Sequence, residues 1–353
     1  MALAESILLA SKFRGCLVGA LLGDCLGAPY EAETKVSKIV LQKYFDKLEG
    51  QYFKSPVKPY TDDTAMTKCI AESLLEHKKL DASDLAKRFV KEYFSDPRRG
   101  YGANVVDVFR KLRTQKFVDP FGPAREQFEG SGSYGNGAAM RVSPVALFCH
   151  DSYDELVSMA RVSAEVTHAN HLGFNGAVLQ AIAVHQSLHL NAKEGLDVTS
   201  FVLDLITKMA AIEKDDEGLG LEDPTPYQTQ LKHVKELLDR GDGVEDAEVV
   251  RQLGNNVAAL FSVPTAIYCF LRAQEDIEGI KTDNPFRRTL QYAISLGGDT
   301  DTIASMAGAI AGAYYGHGAI SEALQRHCEL LSEVVKYAED LYVLVAAQSN
   351  VPP

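Results

Sequence analysis

Two acidic clusters, far apart in the chain, are the residues best equipped for chemistry. The stretch YTDDTAMT carries Thr61, Asp62, Asp63 and Thr64, and LGGDTDTIA carries Asp299, Thr300, Asp301 and Thr302. Thr and Asp also cap helix starts, where the dipole favours negative charge. Capping needs one or two oxygens, however, and each cluster supplies two carboxylates and two hydroxyls. If both helix starts face one cavity, four carboxylates repel one another and cannot all ionise without a cation. Oxygen donors with no Cys or His among them suit hard ions such as Mg²⁺, Mn²⁺ or Ca²⁺ rather than zinc, and such a set is large enough for two ions.

Between the clusters, EGSGSYGNGAAMR holds Gly130, Gly132 and Gly135. They match G-x-G-x-x-G in form, but GPAREQF before them is no strand, so a dinucleotide-binding turn is not expected. No Lys-Ser/Thr pair follows, which excludes a P-loop. Two readings stay open: a plain flexible loop, or an anion cradle of consecutive backbone N–H groups. In the second, Ser133 and Asn136 add polar contacts, and Phe128 or Tyr134 stacks on a base. His185 and His189 have zincin spacing, but Gln186 stands where the general-base Glu belongs. In HANH, His168 and His171 suit a metal pair or ordinary hydrogen bonding, and His168 is a candidate ligand contact.

The elements that must position these residues read as helices. TAMTKCIAESLLEHKKL, ASDLAKRFVKEYF and NHLGFNGAVLQAIAVHQSLHL all place apolar residues on one stripe, while alternating β-branched runs are scarce. Gly15, Gly19, Gly23 and Gly27 recur every fourth residue, as do Ala304, Gly308, Gly312 and Gly316. On helices each set makes a groove without side chains. If the two helices meet, the residues after Gly27 come close to those before Ala304. The acidic, turn-rich stretch Glu213–Pro226 reads as a solvated loop, so one compact helical domain over 1–353 is expected.

Composition narrows the function. A net charge of −12 with scattered Lys and Arg argues against binding nucleic acid through a basic surface. The six Cys are far apart and read as buried free thiols in a reducing compartment. CLVGALLGDCLGA is broken by Asp24 and too short to span a membrane, and the N-terminus does not have the order of a secretory signal. A soluble intracellular protein is expected, with no membrane partner.

Four elements, GALLGDCLGAPYE, YTDDTAM, GSYGNGAAMRVSP and SLGGDTDTIASMAGAIAGAYYG, occur in the order that resembles the ADP-ribosylhydrolase family. RGYGANVV and SVPTAIYCFLR extend the likeness, in particular to its (ADP-ribosyl)serine hydrolase branch, over nearly the whole chain. The resemblance implies an all-α, single compact orthogonal helical domain with two Mg²⁺ (Mn²⁺ also suited) at the base of a cleft. Its metal ligands would be Thr61, Asp62, Asp63, Asp299, Asp301 and Thr302, with Glu31 on a flap above them. Glu31 would be the acid/base, with Asp299 the alternative for polarising water. The ADP-ribose pocket would comprise Gly100, Gly102, Phe128, Gly132, Ser133, Tyr134, Gly135, Asn136 and His168.

The implied substrates are serine-linked ADP-ribosylated proteins, poly(ADP-ribose) and O-acetyl-ADP-ribose. The implied setting is a monomer in nucleus and cytoplasm, with the mitochondrial matrix a further compartment. Two alternatives stand beside it. An arginine-specific ADP-ribosylhydrolase would share fold and metals, and a non-catalytic ADP-ribose-binding protein could dispense with some of the carboxylates. A structural, crystallin-like protein of this fold is least favoured, because no metal position departs from the pattern.

Overall fold

The structure, a computed structural model, describes residues 3–50, 56–214 and 223–349. Most of the Glu213–Pro226 stretch lies outside the described residues. Among those described, α-helices are joined by short 3₁₀ turns, and strand pairing is confined to isolated bridges. The fold is all-α, as the periodicities require. Asp62–His77, Ala82–Ser95 and His171–His189 are helices, covering the three amphipathic stretches. In the second, Asp81 caps the start by accepting from the Asp84 N–H, and Leu85 and Phe89 are fully buried. Each such side chain contributes about 1.5–3 kcal/mol of burial free energy.

The two small-residue helices do meet. Leu3–Gly27 runs antiparallel to Thr300–Tyr315, with Gly15 on Gly312, Gly19 on Gly308, Gly23 on Ala304 and Gly27 on Thr300. A methyl group at Gly19 would lie 2.1 Å from the Gly308 carbonyl oxygen, and one at Gly23 2.1 Å from that of Ala304. Glycine in a helix costs roughly 1 kcal/mol against Ala; here it permits an approach that no side chain would allow. Gly316 plays a different part, closing its helix at φ 80°. At the other end, Thr300 Oγ1 donates to the Gly27 carbonyl at 2.9 Å, which clamps the two helix ends beside the future site.

The first helix is longer than its apolar stretch suggested. Among the described residues it alone is long and apolar enough to cross a membrane. Its buried face is taken up by the rest of the protein: Phe13, Cys16, Leu17, Leu21 and Leu26 join one hydrophobic cluster that extends to Val345. All six Cys are free and buried.

Candidate active site

Capping does not account for the acidic clusters. Thr61 caps the Asp62–His77 helix with its own Oγ1, which accepts from the Asp63 N–H, so neither aspartate is used. Asp299 occupies the cap position of the Thr300–Tyr315 helix yet makes no side-chain cap bond. The carboxylates instead turn toward each other. Asp63 Oδ2 accepts from Thr61 Oγ1 at 3.3 Å and from Thr302 Oγ1 at 3.2 Å, which joins the two clusters. Asp63 Oδ1 is buried with no hydrogen-bond partner. Asp301 Oδ1 accepts from the Thr302 N–H at 2.9 Å.

Glu31 reaches the same place from the end of the first helix. It follows the 3₁₀ turn Ala28–Tyr30. The backbone after it is tied to the second cluster: the Ala32 N–H donates to the Gly298 carbonyl, and the Gly298 N–H to that of Glu33. Glu31, Asp299 and Asp301 offer carboxylate oxygens within 4.8 Å of one another, an arrangement that could hold a metal ion.

These carboxylates line a cleft of about 280 Å³, together with Thr302, Gly100, Gly102, Ser133, Gly135, Asn136 and His168. Met66, Asn104, Val105, Gln127, Gly137, Met140, Thr167 and Val257 complete the wall. No Lys or Arg does, so among these lining residues no side chain neutralises five acids. Asn136 links the two sides, donating its amide to Asp299 Oδ2 at 2.5 Å and to Ser262 Oγ at 3.1 Å.

Four expected residues stand elsewhere. Thr61 sits behind its aspartates as the helix cap. Phe128 and Tyr134 are exposed, with ring centroids 6.0 Å apart, beside the lining residues Gln127, Ser133 and Gly135. Gly132 does not itself line the cleft and adjoins the lining residue Ser133. It has φ 73°, and its missing side chain makes room for the Ala169–Asn170 backbone, with Asn170 N only 2.5 Å from where a Cβ would lie. The loop is set by backbone conformation, since Phe128 and Glu129 also have positive φ (50° and 57°). Such conformations are costly for residues other than Gly and cluster at ligand clamps. No strand precedes the loop, in accord with its sequence.

Electrostatics follow from burial. Desolvation pushes the Asp62, Asp63, Asp299, Asp301 and Glu31 carboxyls above the usual range, Asp62 to about 8. Neighbouring carboxylates add to the rise at Asp62, Asp63, Asp301 and Glu31. A cation of high charge density would restore their ionised forms. His168 behaves oppositely: burial, with help from the Arg141 charge, pushes it down to about 3. It is therefore neutral at pH 7, and its Nδ1 shares a hydrogen bond with Thr167 Oγ1 at 2.7 Å.

Two contributors were not singled out by sequence reasoning. Asp24 is fully buried and accepts from the Thr61 N–H, the Thr64 N–H and Thr64 Oγ1, the last at 2.6 Å. It thereby holds the start of the Asp62–His77 helix against the first helix. An acid inside CLVGALLGDCLGA was the available signal, since an unpaired buried carboxylate needs donors. The second is the segment from Gly254 to Ser262. Its Asn255 carbonyl accepts from Asp299 N–H, its Val257 carbonyl from Asn136 N–H, and its Ala259 N–H donates to Tyr134. Main-chain bonds of this kind leave no mark in residue type.

His185 and His189 stack on each other with centroids 4.5 Å apart and do not line the cleft. His171 does not line it either. Among the described residues, Glu31, Asp299 and Asp301 form the sole group of three or more metal-ligating side chains in reach of one another.

Residues 5–350 match the ADP-ribosylglycohydrolase family. The chain is 48% identical over 345 residues to ADP-ribosylhydrolase ARH3 of Mus musculus, covering 94% of this chain and 91% of that protein. It is 47% identical over 344 residues to the Homo sapiens protein of the same name (94% and 93% covered) and 44% identical over 345 to that of Danio rerio (96% and 92%). A solved structure described as an ADP-ribosylglycohydrolase-related protein complex superposes with a TM-score of 0.68 at 24% identity, over 96% of this chain and 99% of the other. That likeness is one of fold. With its acidic cleft floor and near full-length match, the chain belongs to the ADP-ribosylglycohydrolase family of glycosyl hydrolases.

Proposed function

We propose that this enzyme is a Mg²⁺-dependent hydrolase that removes ADP-ribose from serine-linked ADP-ribosylated proteins, and that it also degrades poly(ADP-ribose) and O-acetyl-ADP-ribose. The observation that carries this reading is the meeting of carboxylates from two helix starts with Glu31, opposite a glycine-rich loop. The donor set fits two hard cations. Its ligands are carboxylate and hydroxyl oxygens, and Asp63 Oδ1 is buried with nothing else to accept from. Thr61, Asp62, Asp63, Asp299, Asp301, Thr302 and Glu31 would hold them. Once bound, such ions orient the ribose hydroxyls, lower the pKa of water and offset charge in the transition state.

The chain's own residues supply the rest. The Ser133 and Tyr134 backbone N–H groups hold the diphosphate, those of Gly135 and Asn136 being donated to Ser133 Oγ and the Val257 carbonyl, and Phe128 with Tyr134 flanks the base. His168, neutral at pH 7, offers a hydrogen bond without adding charge. Hydrolysis breaks the bond between ribose C1″ and the serine oxygen: water adds at C1″, and the departing oxygen gains a proton. Glu31 would move that proton: it stands beside Asp299 and Asp301 with its residue open to solvent, and partial desolvation of the carboxyl together with the Asp299 charge raises its pKa. Asp299, fixed by Asn136, orients the water. A carboxyl pair flanking an oxocarbenium-like centre is the general arrangement for glycoside cleavage.

The test is release of free ADP-ribose from a serine-ADP-ribosylated peptide, with Mg²⁺ and with chelator, using Asp301→Ala as control. Release that needs both the metal and Asp301 supports the reading. Cleavage of an arginine-linked substrate instead would reassign the linkage. Binding of ADP-ribose with no cleavage of either would make the protein a reader.

A further inference from the structure

Beside the cleft lies an open furrow of about 480 Å³, and Gly100 borders both. Gly100 has φ 89°, and a Cβ there would stand 3.4 Å from Asp62 Oδ1 and 3.9 Å from Thr61 Cβ. A side chain at this position would narrow the passage between the two cavities. The furrow is lined by Ala28, on the turn that leads to Glu31, and by Tyr60, Asp96, Arg98, Arg99 and Glu329. It adjoins the cleft at Gly100, next to Asp62 and on the Thr61 side, whereas the glycine-rich loop belongs to the cleft alone.

Arg99 ties one wall together. The Arg99 guanidinium stacks on Tyr60 at 3.8 Å from the ring centroid. It also donates to the Tyr60 carbonyl and to both Glu329 oxygens, at 3.1, 2.7 and 3.1 Å, and pairs with Asp96 at 2.8 Å. The Arg99 carbonyl in turn accepts from the Asp62 N–H at 2.6 Å, so the furrow wall and the cleft floor share one backbone support. Arg98 is different. It is exposed, and its recorded bond is from its backbone N–H to Asp96 Oδ1 at 3.4 Å, leaving the guanidinium free to meet a ligand.

We propose that this furrow is the acceptor subsite: it takes the polypeptide on the far side of the bond to be cleaved, and Arg98 favours a carboxylate next to the modified residue. The inference rests on the function proposed above. If sugar and diphosphate fill the side of the glycine-rich loop, the acceptor leaves from the other side of the carboxylates, and the furrow begins there. The formal charges of Asp96, Arg98, Arg99 and Glu329 cancel. A second diphosphate would meet two acids with one free cation, whereas a polypeptide matches a surface of mixed sign.

The experiment compares wild type with Arg98→Glu on three substrates of one linkage: ADP-ribosyl-serine as the single amino acid, a modified peptide with Asp beside the serine, and the same peptide with Lys there. Charge reversal at an exposed site should lower kcat/KM for the Asp peptide by about three- to tenfold and raise it for the Lys peptide. Hydrolysis of the single amino acid, too short to reach Arg98, is the reference and should hold. The proposal is overturned if both peptides respond alike, if all three substrates fall together, or if poly(ADP-ribose) responds while the peptides do not; the last would assign the furrow to a second ADP-ribose unit. Failure of the wild type to cleave any of the three would instead refute the function on which the inference rests.

Discussion

Asn136 donates its side-chain amide to Asp299 Oδ2 at 2.5 Å, a bond between residues 163 apart in sequence that joins the glycine-rich loop to the acidic floor. The glycine-rich loop and the carboxylates are therefore one hydrogen-bonded unit. Asn136→Ala should weaken Mg²⁺ binding by about 10–100-fold, the usual loss when a residue that orients a metal ligand is removed. It should weaken ADP-ribose binding as well. Calorimetric titration of both on the same protein tests the link, which fails if one affinity changes and the other does not.

Asp24 calls for a separate test because it acts on the expected ligand Thr61 through its backbone N–H. It accepts three hydrogen bonds from Thr61 and Thr64. Asp24→Asn turns an NH₂ group toward those donors and should cost about 1–3 kcal/mol of stability. It should also loosen Asp62 and Asp63, which follow Thr61 directly. Urea unfolding gives the first effect and Mg²⁺ titration the second; unchanged metal affinity would leave Asp24 a purely structural residue.

The raised carboxyls make a pH prediction with a definite sign. A group whose folded pKa lies above its unfolded one stabilises fully below the unfolded value, near 4, and loses that contribution as pH rises through the folded value. Asp62 reaches about 8, and Glu31, Asp63, Asp299 and Asp301 also move upward. Metal-free protein should accordingly melt a few degrees lower at pH 8 than at pH 7, an interval above the range in which the lowered histidines such as His168 and His185 titrate, at roughly 2–4 °C per kcal/mol for a large chain. Saturating Mg²⁺ should remove the difference. A chelated protein whose melting temperature stays level or climbs over that interval would contradict the reading.

The helix pair admits almost no substitution. A Cβ at Gly308 would lie 2.2 Å from the Gly19 carbonyl oxygen, whereas one at Gly318 meets nothing within 4 Å. Gly308→Ala should destabilise by about 1–3 kcal/mol or more, as overpacking does, and Gly318→Ala by a few tenths at most. Thermal unfolding of the pair decides it, with comparable losses in both variants as the contrary result.

Activity on poly(ADP-ribose) should depend little on salt. No Lys or Arg lines the cleft, so recognition of one ADP-ribose unit displaces few counterions. Raising NaCl from about 50 to 200 mM should change kcat/KM by less than tenfold; a fall of about a thousandfold, as a basic track would give, rules the idea out.

Much of this was legible in the sequence where a signal is local. The acidic pairs, the helices that follow them and the small-residue steps at Gly15–Gly27 and Ala304–Gly312 are all short-range patterns of residue type. The pairing of the two glycine helices could be inferred because so few partners tolerate such a groove. Spacing alone does not show that Gly132 makes room for the neighbouring Ala169–Asn170 backbone. Asp24 was passed over because its donors lie about forty residues away. The Gly254–Ser262 segment meets Asp299 and the glycine-rich loop mostly through main-chain groups, which every residue carries, with Ser262 Oγ as an exception.

The glycine ladder also bears on how the protein finds its shape. A contact with a four-residue period has a near-degenerate neighbour four residues, about 6 Å, away. Slid by that amount, Gly19 would face Gly312 and Gly23 would face Gly308, again small against small. Steric fit alone does not reject the slipped frame. The Thr300 bond to Gly27 does, together with the bonds from Thr61 and Thr64 to Asp24, because all of them break when the helices shift. A cation held by both acidic clusters at once would select the same frame, and so would bear on folding as well as on the site.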